Sequence, residues 1–103
     1  MTNRADLYLP LFVSGRDFAD HIVNQLGDYA GESIVVDGTK LRSGTSSFAA
    51  QFVQRILVDG KAARLTVVGA PQEFVGYLKD AAERAGVADQ LVTARHFAVP
   101  ARG

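Results

Sequence analysis

The chain has no cysteine and no tryptophan, and it has only three prolines among 103 residues. The lack of cysteine excludes disulfide bonds, thiolate metal sites and cysteine nucleophiles. Neither sign of charge prevails, since 11 lysines and arginines balance 11 aspartates and glutamates. Without a basic surplus, the sequence gives no electrostatic reason to predict DNA or RNA as a partner.

Long apolar runs are also missing. No stretch approaches the roughly 20 residues that a membrane-spanning helix needs, so we expect no membrane partner. The N-terminal segment MTNRADLYLP lacks the apolar run and small-residue cleavage site of a signal peptide. We therefore expect a cytoplasmic protein, folded as one domain over residues 1–103, with residues 98–103 frayed. The 48% content of hydrophobic residues is ordinary for a globular chain.

Four short apolar runs and three amphipathic stripes alternate along the chain. Strands are predicted at 7–13, 33–37, 65–68 and 91–94, and helical stripes begin at Phe18, Phe48 and Phe74. Pro10 lies inside the first run, and it must either place this strand at a sheet edge or break it. The β-α-β-α-β-α-β order predicts a single α/β domain with four mainly parallel strands and right-handed helical crossovers.

Turn and cap residues predict where the helices begin and end. Ser14, followed three residues later by Asp17, predicts the start of the first helix, whose apolar stripe extends to Leu26. Residues 38–44 are predicted to form a loop, and Gly60 should end the second helix. Pro71 is expected at the first position of the third helix, and Gly86 at its C-terminal cap.

Three hydroxyl residues, Thr45, Ser46 and Ser47, precede the second predicted helix. One hydroxyl is enough to cap a helix, so two interpretations remain open: capping alone, or a site that a partner binds or modifies. The cluster follows a strand, where ligands of open α/β sheets gather, and a helix start tolerates a phosphate. We expect Ser47 or Ser46 to be the cap and the remaining hydroxyls to face outward.

The stretch from Ser14 to about Val92 resembles the STAS-like proteins, which are relatives of the bacterial anti-sigma factor antagonists. The resemblance is carried by Ser14-Gly15-Arg16, by IVVDGTKLRSGTSSF and by TVVGAP. It implies strands in sequential order with the helices on one side of the sheet. It also implies a non-enzymatic protein–protein interaction module that docks on a regulatory partner, such as a GHKL-type kinase or an anti-sigma factor.

By the same resemblance, Ser46 corresponds to the serine that is phosphorylated in the antagonists, with Ser47 as its neighbour. Thr45 stands where that family has aspartate, and Phe48 stands where it has glycine. A STAS-like branch of unknown function favours Ser-Ser-Phe-Ala followed by acidic residues, and here Ala50 and Gln51 follow instead. The docking surface is expected within residues 38–52. Its weaker partner-binding candidates are Asp37, Lys40, Arg42, Phe48 and Gln51.

No catalytic or metal-binding motif is recognisable, and we expect no cofactor. The two histidines, His21 and His96, show no metal-ligand spacing, and the GxSxG, GxGxxG and GK[ST] patterns are all missing. The alternative from another class is a small enzyme or nucleotide-binding domain that uses Asp37 and the serines. A third is a bacterial or phage-borne adaptor that keeps the fold without phosphoregulation. Homodimer formation stays open.

Overall fold

The computed structural model describes residues 5–95. Its elements are β1 Leu7–Tyr8, β2 Phe12–Val13, α1 Arg16–Val23, β3 Ser33–Asp37, β4 Ser43–Gly44, α2 Ser46–Val53, a π-helical segment Gln54–Asp59, β5 Arg64–Val68, α3 Gln72–Arg84, a 3₁₀ turn Ala88–Gln90 and β6 Leu91–Ala94. The predicted alternation of strands and helices is confirmed. His96 and the tail expected to fray, residues 98–103, lie outside the described residues.

The main sheet has four parallel strands in the order β1-β3-β5-β6. Parallel pairing and sequential order are therefore both confirmed. The apolar run 7–13 is broken around Pro10, since β1 ends at Tyr8 and β2 belongs to a second sheet. Its first part, β1, also lies at an edge of the main sheet. The β2 strand pairs in parallel with β4. The prediction of a loop over 38–44 was thus wrong at its end, where this two-stranded ladder forms.

The three helices form one layer in which α2 packs against α1 on one side and α3 on the other. The Phe48 ring is fully buried at the centre of this layer, 5.3 Å from Phe52 and 6.0 Å from Phe74 between ring centroids. Alternate residues of the central strands enter the same core, as Ile34 and Val36 show. The other face of the sheet carries the exposed side chains of Tyr8 and Val92, so the helices cover one face only.

The first helix differs from its prediction at both ends. Gly15, at a φ of 83°, occupies the N-cap position that was predicted for Ser14. The helix ends at Val23 instead of extending to Leu26. The reason lies in the backbone, since the amides of Gln25 and Leu26 bond to carbonyls only three residues back and tighten the chain. Leu26 still packs on the core from outside the helix.

The third helix begins one residue later than predicted and ends as predicted. Pro71 has an extended ψ of 149° and is the cap, so the first helical residue is Gln72. At the other end, Gly86 has a φ of 77°. Its amide bonds to the Glu83 carbonyl, and the Val87 amide bonds to the Ala82 carbonyl. These two bonds satisfy the last carbonyls of the helix in the pattern that glycine favours at this position.

The second helix does not stay α-helical up to Gly60. Its last six residues form the π-helical segment, and the Gly60 amide donates to the Arg55 carbonyl at 2.9 Å. The Tyr29 hydroxyl donates to the same carbonyl at 2.9 Å. A Cβ at Gly60 would overlap the Tyr29 ring. Any larger residue at this position would therefore force the tyrosine ring to move.

Candidate functional site

The start of α2 is anchored by the small β2–β4 ladder. Phe12 is in register with Ser43, and Val13 is in register with Gly44. The Thr45 amide then donates to the Val13 carbonyl at 3.1 Å. These backbone bonds place the hydroxyl cluster beside the loop that follows β1, at the carboxyl ends of the parallel strands.

Thr45 is the cap of α2. Its Oγ1 accepts from the Phe48 amide at 3.2 Å and from the Gly15 amide at 3.2 Å. Both lone pairs of the hydroxyl are then used, so its proton is free to bond the Ser47 Oγ, which lies 3.2 Å away. The prediction that Ser47 or Ser46 caps the helix was wrong. The cap also ties α2 to the start of α1, which no local pattern indicates.

Ser46 and Ser47 are exposed at the surface, as is the Thr45 side chain. Among residues 5–95, the Ser46 hydroxyl has no hydrogen-bond partner, and that of Ser47 meets only Thr45. Neither serine is bonded to a histidine or carboxylate there, so no neighbour among the described residues activates either hydroxyl as a nucleophile. Ser46 is the first residue of α2, a position where an added negative charge is electrostatically favoured.

The remaining predicted residues fall into different environments. The Phe48 side chain is fully buried, and only its backbone amide takes part in the cluster. One oxygen of the Asp37 carboxylate accepts from the Thr39 amide at 2.8 Å and from the Thr39 hydroxyl at 2.6 Å. Asp37 therefore serves as a turn former. Lys40 and Arg42 are exposed in the loop before α2.

Gln51 belongs to a polar network between α1 and α2. Its Nε2 donates to Asp20 at 2.8 Å, and its Oε1 accepts from Arg16 at 3.3 Å. Arg55 bonds the same Asp20 oxygen at 2.8 Å and reaches Asn24 at 2.8 Å. The hydrogen bonds from Gln51 and Arg55 lower the pKa of Asp20 below its ordinary value.

The sequence analysis missed this network, although a signal was present. Arg16 and Asp20 are four residues apart on one helix, and Gln51 and Arg55 are four apart on the next. Residues at this spacing share a helix face, and consecutive helices of a one-sided layer are neighbours. The two polar pairs could therefore have been predicted to face each other.

Two exposed apolar residues beside the cluster were also missed. Leu11 is 53% exposed and Phe12 is 65% exposed. The Leu11 carbonyl accepts from the Arg42 amide at 2.7 Å, so this loop is held next to residues 38–45. An apolar run carries no signal of its own for exposure, so the sequence alone could not show that these two side chains lie outside the core.

Within 5–95, no group of three or more His, Cys, Asp or Glu side chains could hold a metal ion. In that same range, no helix has the length and apolar character needed to cross a bilayer. Comparison with known proteins gives no match for the chain, whether to a protein-family model, to a curated protein or to a solved structure.

Proposed function

We propose that this domain is a non-enzymatic protein–protein interaction module of the anti-sigma factor antagonist type, acting in the cytoplasm. Its docking surface consists of Leu11, Phe12, Lys40, Arg42 and Ser46. The observation that carries the proposal is the exposure of Leu11 and Phe12, by 53% and 65%, directly beside the hydroxyl cluster. Adjacent exposed apolar side chains with a polar surround are typical of protein interfaces.

The rigidity of this surface supports the proposal. Phe12 lies on the β2–β4 ladder, and Leu11 is tied to Arg42 by a backbone bond. An aromatic anchor that is already fixed loses little conformational entropy when it binds. The exposed cations Lys40 and Arg42 favour a partner with acidic groups around an apolar pocket. A GHKL-type kinase or an anti-sigma factor is the partner that the family resemblance implies.

Ser46 supplies the regulatory part of the proposal. A phosphate on this exposed hydroxyl would add a charge of about −2 at the start of α2. The fold tolerates that charge because it lies at the positive end of the helix, whereas an apolar interface does not. The family's aspartate falls on Thr45, which keeps the capping chemistry that aspartate also has.

The test is titration calorimetry with a purified GHKL-type kinase and, separately, with a purified anti-sigma factor, both from the organism that encodes this chain. Phe12→Ala should weaken binding about tenfold or more, as truncation of an interface anchor does. The matched control is Tyr8→Ala, which removes a 61% exposed aromatic from the bare face of the sheet and should leave binding unchanged. Ser46→Ala should bind like wild type, and Ser46→Asp should bind more weakly at unchanged stability.

The docking surface would be rejected if Phe12→Ala and Tyr8→Ala lost the same affinity. It would also be rejected if neither the kinase nor the anti-sigma factor bound the wild-type domain. Normal binding by Ser46→Asp would reject the switch alone. The domain would then be an adaptor without phosphoregulation.

A further inference from the structure

A groove runs along the outward face of α2, between α1 and α3. It consists of two adjoining depressions of about 330 Å³ and 310 Å³. Both are lined by Arg16, Ala50, Ala81 and Arg84. We call this feature the α2 groove. Its lining combines two small side chains, which leave room for another chain, with two guanidinium groups.

The charges in the α2 groove favour an anionic occupant. Asp80 is the only carboxylate that lines the groove in the described part of the chain, and Arg84 Nε bonds it at 2.9 Å. Arg16 donates only to the uncharged Gln51, so its positive charge has no counterion there. The neighbouring Glu73 accepts from the Tyr77 hydroxyl at 3.1 Å. That bond raises the pKa of Tyr77, and the phenol adds no negative charge.

Two other carboxylates near this layer, Asp20 and Asp17, do not line the groove. Asp20 bonds Gln51 and Arg55 on the α1 side of α2. Asp17, in the first turn of α1, is exposed and next to Arg16 in the chain. Among the described side chains that line the α2 groove, two are positive and one is negative. Each arginine also keeps N–H donors beyond the bond named above, in the planar arrangement that matches a carboxylate.

We propose that the α2 groove binds an acidic segment of the partner protein, whose carboxylates pair with Arg16 and Arg84. This rests on the proposed function and gives the partner's chemistry, since Ser46 and Ser47 line the same groove. A protein segment is favoured over a nucleic acid because lysine and arginine only balance aspartate and glutamate in this chain. The pairs are exposed, so each should change affinity by up to about fivefold.

The test is an NMR titration of the ¹⁵N-labelled full chain with a short, blocked peptide of alternating Glu and Ala. We expect saturating shifts of the Arg16 and Arg84 side-chain Nε–H signals and of the Ala50 and Ala81 amides. Arg16→Gln together with Arg84→Gln should weaken binding about tenfold. The control is Arg64→Gln, which removes an exposed cation at the start of β5 and should leave the affinity for the peptide unchanged. The amide spectra of the variants verify that they are folded.

Three results would overturn the proposal. The first is that the matched Gln/Ala peptide binds as tightly as the Glu/Ala peptide. The second is that the shifts appear only around Lys40 and Arg42. The third is that short oligothymidylate binds the groove more tightly than the Glu/Ala peptide does. The two proposals fail separately. Peptide binding in the α2 groove with no effect of Phe12→Ala on the partner rejects the docking surface only. The reverse result rejects the groove only.

Discussion

The strongest stability prediction concerns Thr45. Thr45→Ala removes the cap bond to the Phe48 amide and the bond to the Gly15 amide. Losing a threonine cap costs about 1 kcal/mol. Losing a second hydrogen bond costs about a further 0.5–1 kcal/mol. We therefore expect the free energy of unfolding to fall by about 2 kcal/mol. For a domain of this size, the melting temperature should fall by about 8 °C or more.

Urea denaturation followed by circular dichroism measures this effect, and two variants control it. Thr45→Ser keeps the hydroxyl and should recover most of the loss. Ser46→Ala should lie within about 0.5 kcal/mol of wild type, because the Ser46 hydroxyl has no partner among the described residues. The assignment of the cap would be refuted if Ser46→Ala cost as much as Thr45→Ala, or if Thr45→Ala cost nothing.

Two further predictions concern the packing of Gly60 and the titration of Asp20. Gly60→Ala should lower the free energy of unfolding by about 1–3 kcal/mol, because the new methyl overlaps the Tyr29 ring. The control is Gly76→Ala, in α3 with open space around it, which should raise the free energy of unfolding by about 0.5–1 kcal/mol. Similar denaturation midpoints for the two variants would contradict the packing argument. The pKa of Asp20 is lower in the folded state than in the unfolded state. The contribution of Asp20 to stability is therefore fully present above the ordinary aspartate pKa of about 4, and it is lost as pH falls through the lower folded value. Denaturation at several pH values should show wild type losing stability more steeply than Asp20→Asn below about pH 4, and parallel curves would show that the network does not shift this titration.

The architecture could be predicted from the sequence because it depends on the spacing of apolar residues and on the alternation of strands and helices along the chain. The stripes that begin at Phe18, Phe48 and Phe74 each mark a helix, and the apolar run 33–37 marks a central strand. These patterns report which side chains must leave water, and that requirement does not depend on tertiary detail. Gly86 was also predictable, since a positive φ at a helix end is a local demand.

The hydroxyl cluster shows where such prediction stops. Thr45, Ser46 and Ser47 are each good cap residues, so local preference cannot choose among them. The choice depends on the Gly15 amide, which is 30 residues away in the chain, and on the Val13 carbonyl that holds the Thr45 backbone. Both contacts exist only after β2 has paired with β4.

The π-helical segment has a similar origin. The residues that precede Gly60 carry an ordinary helical stripe, and nothing local indicates a wider turn. The Arg55 carbonyl accepts from both the Gly60 amide and the Tyr29 hydroxyl, and Tyr29 is 26 residues distant. The wider turn is therefore a tertiary feature, as is the outward position of Leu11 and Phe12.

The sequential order of the main sheet has a consequence for how the chain folds. Each strand of the main sheet pairs with the next strand of that same sheet in chain order, as β3 does with β5 and β5 with β6. No pairing has to wait for a strand from the far end of the chain, so every loop that closes is of similar, moderate length. Each parallel pairing still needs a full helical crossover before it can form, so we expect this domain to fold more slowly than an all-helical domain of the same size.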